Sequence, residues 1–111
     1  MTVSELTGTG GFEAAVHGES DKEITTCYIG DLLSWVMGRA PAGSAWITIM
    51  TNVNVAAVAL LADTACVICA EGTEPDAALI EKAAQNGVAV LKTKLDAYGA
   101  ACRIYRLLGG E

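Results

Sequence analysis

Basic residues are scarce in this chain. Seven Lys and Arg stand against thirteen Asp and Glu in 111 residues, a net charge of −6, and the seven form no run. A protein that neutralises nucleic-acid phosphates needs a basic patch or stripe, so no nucleic-acid partner is expected. Aromatics are sparse as well, at 5% against 52% apolar residues. Ala, Val, Ile and Leu must therefore fill the interior, as happens where strands are covered on both faces by helices. Long apolar runs are missing: Val53 to Ala62 is broken by Asn54 and falls short of the ~20 residues a membrane helix needs. Met1 to Gly11 is polar and Gly/Thr-rich, without the basic and apolar regions of a signal peptide. No membrane association and a cytoplasmic location are expected.

Catalytic signals are equally thin. His17 is the only histidine, and no sequence neighbour is nominated as its acid–base partner. Its position before Gly18 suits a solvated turn. No Gly-Lys-Ser or Gly-Lys-Thr occurs, which excludes the P-loop that cradles nucleotide phosphates. Gly8-Thr9-Gly10-Gly11 precedes a strand instead of following one, so it reads as a flexible connector, not a phosphate loop. No nucleophile–base pair, carboxylate pair or metal set is visible. The expectation is a protein that is not an enzyme and needs no cofactor or metal.

The chain does hold four cysteines, Cys27, Cys66, Cys69 and Cys102, all in hydrophobic segments. Cys66-Val67-Ile68-Cys69 has the C-x-x-C spacing of redox and zinc sites, but those motifs sit on turns or helix starts. On a strand, residues three apart point to opposite faces. Buried structural thiols are expected. Cys27 and Cys102 could complete a four-thiolate set only if the fold gathered them.

At this length one domain, residues 1–111, is expected, with 1–11 its least determined segment. Thr2-Val3-Ser4-Glu5 fits a capping box. Phe12 to His17 and Ile24 to Ile29 read as strands joined in an antiparallel hairpin across the polar turn Gly18 to Lys22. Asp31 suits the N-cap of a helix over Leu32 to Met37, stopped by Gly38 and Pro41. Strands are expected at Ala45 to Met50, Ala65 to Ala70 and Val88 to Lys92. An Ala-rich helix, Val55 to Leu61, fits between the first two. Thr73-Glu74-Pro75-Asp76 carries the Pro and acidic signals of a helix start, and Gly87 those of its end. After Thr93, the positions Leu95, Tyr98, Cys102, Tyr105 and Leu108 recur at helical intervals. This alternation predicts a single three-layer α/β domain: three parallel strands plus the hairpin, helices on both faces.

Four segments, CYIGDLLSWVMGRA, WITIMTNVNVAAVALL, ACVICAEGTEPDAALIEKAAQNGVAVLKT and LDAYGAACRIYRLL, carry a family resemblance across Tyr28 to Leu108. In order and spacing this stretch resembles the DRTGG domain family. Such domains occur alone, in CBS-domain pyrophosphatases and phosphotransacetylase-like proteins, and they resemble the non-catalytic N-terminal part of HPr kinases. The family takes its name from an acidic-plus-Arg pair and a later Thr-Gly-Gly; those places here read Thr51-Asn52-Val53-Asn54 and Ala70-Glu71-Gly72. The resemblance implies a non-catalytic regulatory domain that senses a small anionic ligand or nucleotide and signals to a partner protein. Members of the family tend to pair, which implies a homodimer.

Ligands of open parallel sheets sit beyond the carboxyl ends of the strands. The candidate site is therefore Thr51, Asn52 and Asn54 with Glu71, Gly72 and Thr73 and with Thr93 and Lys94. In the competing reading Asn54, Thr73 and Thr93 are only helix caps. Leu32 to Met37 is apolar nearly all round, so Leu32, Trp35, Val36 and Met37 are the candidate dimer interface. The alternative function is then a dimerising interaction module with no small-molecule ligand.

Overall fold

The computed structural model describes residues 1–110. In chain order the elements are α1 (Val3–Gly8), β1 (Glu13–Val16), β2 (Thr26–Ile29), α2 (Leu33–Arg39), β3 (Ser44–Thr48), α3 (Asn54–Ala62), β4 (Cys66–Cys69), α4 (Ala77–Asn86), β5 (Val90–Lys92) and α5 (Ala97–Leu107). The five strands form one sheet in the order β1-β5-β4-β3-β2. β2, β3, β4 and β5 run parallel, and β1 closes one edge antiparallel to β5. The strand–helix rhythm thus yields the mostly parallel α/β sheet that it predicts, with four parallel strands where three are expected.

Each step from β2 to β5 moves one place in the same direction. Right-handed crossovers then place the three connecting helices on one face. Val36 of α2, Val55 and Ala59 of α3 and Leu79 and Ala83 of α4 accordingly pack with Trp46, Val67 and Val90. The opposite face carries α1 and α5, whose Leu6, Ala100 and Ile104 pack with Ala45, Ile47, Ile68 and Leu91. Residues of β3, β4 and β5 alternate between these two cores, as the pleat requires.

The hairpin does not form. β1 and β2 lie at opposite edges of the sheet, β1 pairing with β5 (Glu13↔Lys92, Ala14↔Leu91) and β2 with β3. Residues 17–25 exceed a tight hairpin turn and carry Ile24 into the core. On the way they bind the first residues: Val3 N donates to Lys22 O (3.1 Å) and Ile24 N to Met1 O (2.7 Å).

The first eleven residues are built into the fold. Thr2 Oγ1 accepts from Glu5 N at 3.2 Å and Glu5 Oε1 accepts from Thr2 N at 3.0 Å, completing the capping box. That turn presents Val3 and Leu6 to the core. The cap expected at Asp31 is absent. α2 starts from Leu32, while Asp31 Oδ1 accepts from Thr48 Oγ1 (2.7 Å) and Ile49 N (2.9 Å), tying off β3. On α2, Val36 is 0% exposed and belongs to the core, so it leaves the candidate interface. Leu32 (57%), Trp35 (52%) and Met37 (47%) remain outside, with the Arg39 guanidinium 3.8 Å above the Trp35 ring. No helix among the described residues is long and apolar enough to cross a membrane.

Leu6 is fully buried, so Leu6→Ala should cost about 2–5 kcal/mol in urea unfolding. A loss below about 1 kcal/mol, no more than a typical surface change, would mean that α1 is not part of the cooperative core.

Candidate functional site

Topology decides where a cleft can open. The chain leaves β4 toward α4 on one face and leaves β5 toward α5 on the other. The two connections part at the carboxyl ends of adjacent parallel strands, the arrangement that creates a ligand crevice in open α/β sheets. A cleft of about 500 Å³ lies there, within the usual range for small-molecule sites. Its walls are Gly72, Thr73 and Glu74 after β4, Lys92 to Leu95 at the end of β5, Gly11 to Glu13 at the start of β1, and Arg103 of α5.

Of the residues selected from sequence, Gly72, Thr73, Thr93 and Lys94 line this cleft; Thr51, Asn52, Asn54 and Glu71 do not. The β3–α3 loop is engaged elsewhere. Asn52 Oδ1 accepts from Asn54 N at 2.9 Å, and Thr51 O accepts from Asp76 N at 2.9 Å.

The capping reading also changes. The N-caps of α3, α4 and α5 are Val53, Asp76 and Asp96, of which only Asp96 makes a side-chain cap bond, accepting from Gly99 N at 2.7 Å. Thr73 and Thr93 lie upstream of their helices and serve the loops. Thr73 Oγ1 donates to Ala70 O at 2.7 Å. Thr93 is buried; its hydroxyl donates to Gly11 O at 2.7 Å and accepts from Leu95 N at 3.2 Å. These hydroxyls hold the walls together and leave ligand binding to other groups.

Backbone bonds brace the same point. Glu71 N donates to Leu95 O (2.8 Å), Gly72 N to Thr93 O (2.9 Å) and Thr93 N to Cys69 O (3.0 Å). The Glu71 and Gly72 amides are therefore spent on the facing loop. The geometry puts both Glu71 (φ 60°) and Gly72 (φ 70°) in the left-handed region, where a side chain with Cβ is strained. The loop keeps that shape although glutamate occupies its first position.

The groups left to meet a ligand are cations. Lys94 is exposed and makes no ion pair among the described residues. Arg103 Nη2 donates to Thr9 O at 3.0 Å, with its guanidinium 5.7 Å from the Phe12 ring, leaving further donors open on the fork. Lys92 Nζ donates to Glu74 Oε1 and Oε2 at 3.2 and 3.0 Å, and this hydrogen bond with the nearby charge raises the lysine pKa. Three of the seven cations thus face one cleft with two carboxylates, Glu13 and Glu74. In an acidic chain that is a local reversal of sign.

Gly8-Thr9-Gly10-Gly11 is no flexible connector. Gly11 stands at φ 84°, and a Cβ there would come within 2.6 Å of Arg103 Nη1. The segment is a wall shaped around a guanidinium. Sequence reasoning missed Gly11, Phe12, Glu13, Glu74, Lys92, Leu95 and Arg103. The one available signal was the gathering of cations after Val90.

The thiols stay apart chemically. Cys66 packs into one core and Cys69 into the other, as alternation on β4 dictates, and all four cysteines are free. Burial pushes the Cys66 thiol up to about 12, with Cys27 adding to the effect, and burial pushes Cys27 and Cys69 up to about 11. Thiolate, the reactive form, is thus suppressed near neutral pH. Among the described residues no group of His, Cys, Asp and Glu could hold a metal ion.

Fold and cleft define a small three-layer α/β domain with a mostly parallel sheet and a cationic crevice at β4 and β5. The chain belongs to the DRTGG domain family, whose model matches residues 16–107. It is also similar in structure to the CBS and DRTGG domains of the regulatory region of Clostridium perfringens pyrophosphatase, crystallised with its activator, diadenosine tetraphosphate. The TM-score is 0.69 at 18% identity, over 92% of this chain and 44% of that one, so this chain spans less than half the neighbour's length. At that identity the likeness shows the fold. No curated protein matches the sequence.

Glu71→Gly should stabilise the domain by about 0.5–1 kcal/mol, because relief of left-handed strain exceeds glycine's added chain entropy. Urea titration measures this; an unchanged or lower midpoint would mean that the glutamate is held there without strain.

Proposed function

We propose that this chain is a regulatory DRTGG domain that senses a small, multiply charged anion, such as a nucleotide or another phosphate compound, in the β4–β5 cleft. The observation that carries this reading is Lys94 and Arg103 facing a cleft of about 500 Å³ in which the Thr73 and Thr93 hydroxyls and the Glu71 and Gly72 amides are otherwise engaged. Charge-assisted bonds from an ammonium and a planar fork suit phosphate oxygens. The nucleotide bound by the pyrophosphatase regulatory region points the same way, as does the likeness to the non-catalytic part of HPr kinases. Nothing in the cleft pairs a nucleophile with a base, which fits sensing better than catalysis. Signalling would pass to a partner protein. Four unpaired thiols suit a reducing, cytoplasmic setting.

A thermal-shift screen with pyrophosphate, AMP and ATP tests the cleft. A ligand at a hundred times its Kd adds about 2.7 kcal/mol, on the order of 10 °C for a domain this size. The shift should saturate, shrink in Lys94→Gln and survive Asn54→Ala. A flat screen with all three compounds would count against the reading.

The second reading, a homodimer, rests on the exposed Leu32, Trp35 and Met37 of α2, with Ile29 and Ile49 also exposed where β2 and β3 end. Soluble monomers seldom leave large contiguous apolar patches uncovered. Sedimentation across the micromolar range should show a dimer that Trp35→Glu dissociates. A monomer throughout would remove this reading.

A further inference from the structure

The ion pair between Lys92 and Glu74 lies within the cleft, and both side chains form part of its wall. Glu74 offers two oxygens of one anion to one ammonium, at 3.2 and 3.0 Å. A phosphate would present the same two oxygens with more charge behind them. The carboxylate comes from the segment leading into α4 and is largely exposed, whereas Lys92 is mostly covered. Its attachment is therefore weak by the standard of exposed ion pairs, and the lysine is the fixed partner.

We infer that Glu74 is an internal competitor for the anion site. A phosphate-class ligand held by Lys94 and Arg103 takes Lys92 from Glu74 and completes a three-cation set. This rests on the reading of the cleft as an anion site and adds a readout to it. Binding frees a carboxylate in the Thr73-Glu74-Pro75-Asp76 segment, at the surface where a partner can reach it. The same segment contacts the β3–α3 loop through Asp76 N and Thr51 O. The ligand thus rearranges charge on the protein's exterior without any movement of the sheet.

Glu13 supplies an internal control. It stands directly opposite Lys92 in the β1–β5 pair and lines the same cleft, but makes no ion pair with it among the described residues. Calorimetric titration with inorganic pyrophosphate should show Glu74→Gln binding about fivefold more tightly than the wild type. Glu13→Gln, which removes the same charge from the same cleft and leaves the pair intact, should gain distinctly less than Glu74→Gln, and Lys92→Gln should weaken binding. Binding seen only in Glu74→Gln also supports the competitor. Equal gains in the two glutamate variants would trace the effect to the general field and overturn it. Equal affinity in wild type and Glu74→Gln would overturn the competitor alone, leaving the anion site standing. No binding in either protein would overturn both.

Discussion

The hydrogen bonds between the loops after β4 and β5 hold the site together. Glu71 N to Leu95 O and Gly72 N to Thr93 O join two segments that depart to opposite faces of the sheet. Without them the crevice would be a gap between diverging chains. With them it has a floor, and the buried Thr93 hydroxyl extends that floor to Gly11 and the antiparallel edge strand. The divergence arises because α4 returns on the face shared by all the crossovers, whereas α5, which follows the last parallel strand, packs on the other; the short bonds convert it into a cleft of definite shape. The price is that the Glu71 and Gly72 amides and the Thr93 hydroxyl are already taken, which leaves the side-chain cations prominent in the cleft.

That division of labour explains which parts of the site could be seen in the sequence. Strands and helices from Asp31 onward follow from the pattern, because short continuous apolar runs, buried on both faces in β3 and β4, alternate with helical stretches. The carboxyl-end rule leads to Gly72, Thr73, Thr93 and Lys94, which line the cleft. Thr51, Asn52 and Asn54 stand outside that cleft, because β3 and β4 send their helices to the same side and their connections do not part as those of β4 and β5 do. Gly11 is distant in sequence from these loops and is brought to them by the β1–β5 pairing, while Arg103 comes from α5, the helix that follows β5. A hairpin between β1 and β2 is the local solution, and it hides that pairing completely. Tertiary pairing prevailed over proximity.

Helix starts were misplaced for a related reason. Thr73 and Thr93 are residue types that cap helices, yet each is used one turn earlier, bonding Ala70 O or Gly11 O. The hydroxyl that satisfies a loop carbonyl is indistinguishable in sequence from one that satisfies a helix amide. Asp31 behaves similarly, closing the end of β3 instead of opening α2. In each case a short polar side chain fastens the carboxyl end of a strand. The rim of the sheet is stitched by side chains, which is why the loops there hold a fixed outline.

Glu71 shows what such stitching permits. Its left-handed backbone is a shape that glycine adopts freely and glutamate does not, and it persists because the carbonyl of Leu95 holds its amide. A loop secured from across the cleft can hold that outline with a residue that would not adopt it unaided. The shape of this turn is thus set by the carbonyls of the facing loop, where a comparison of side chains does not look.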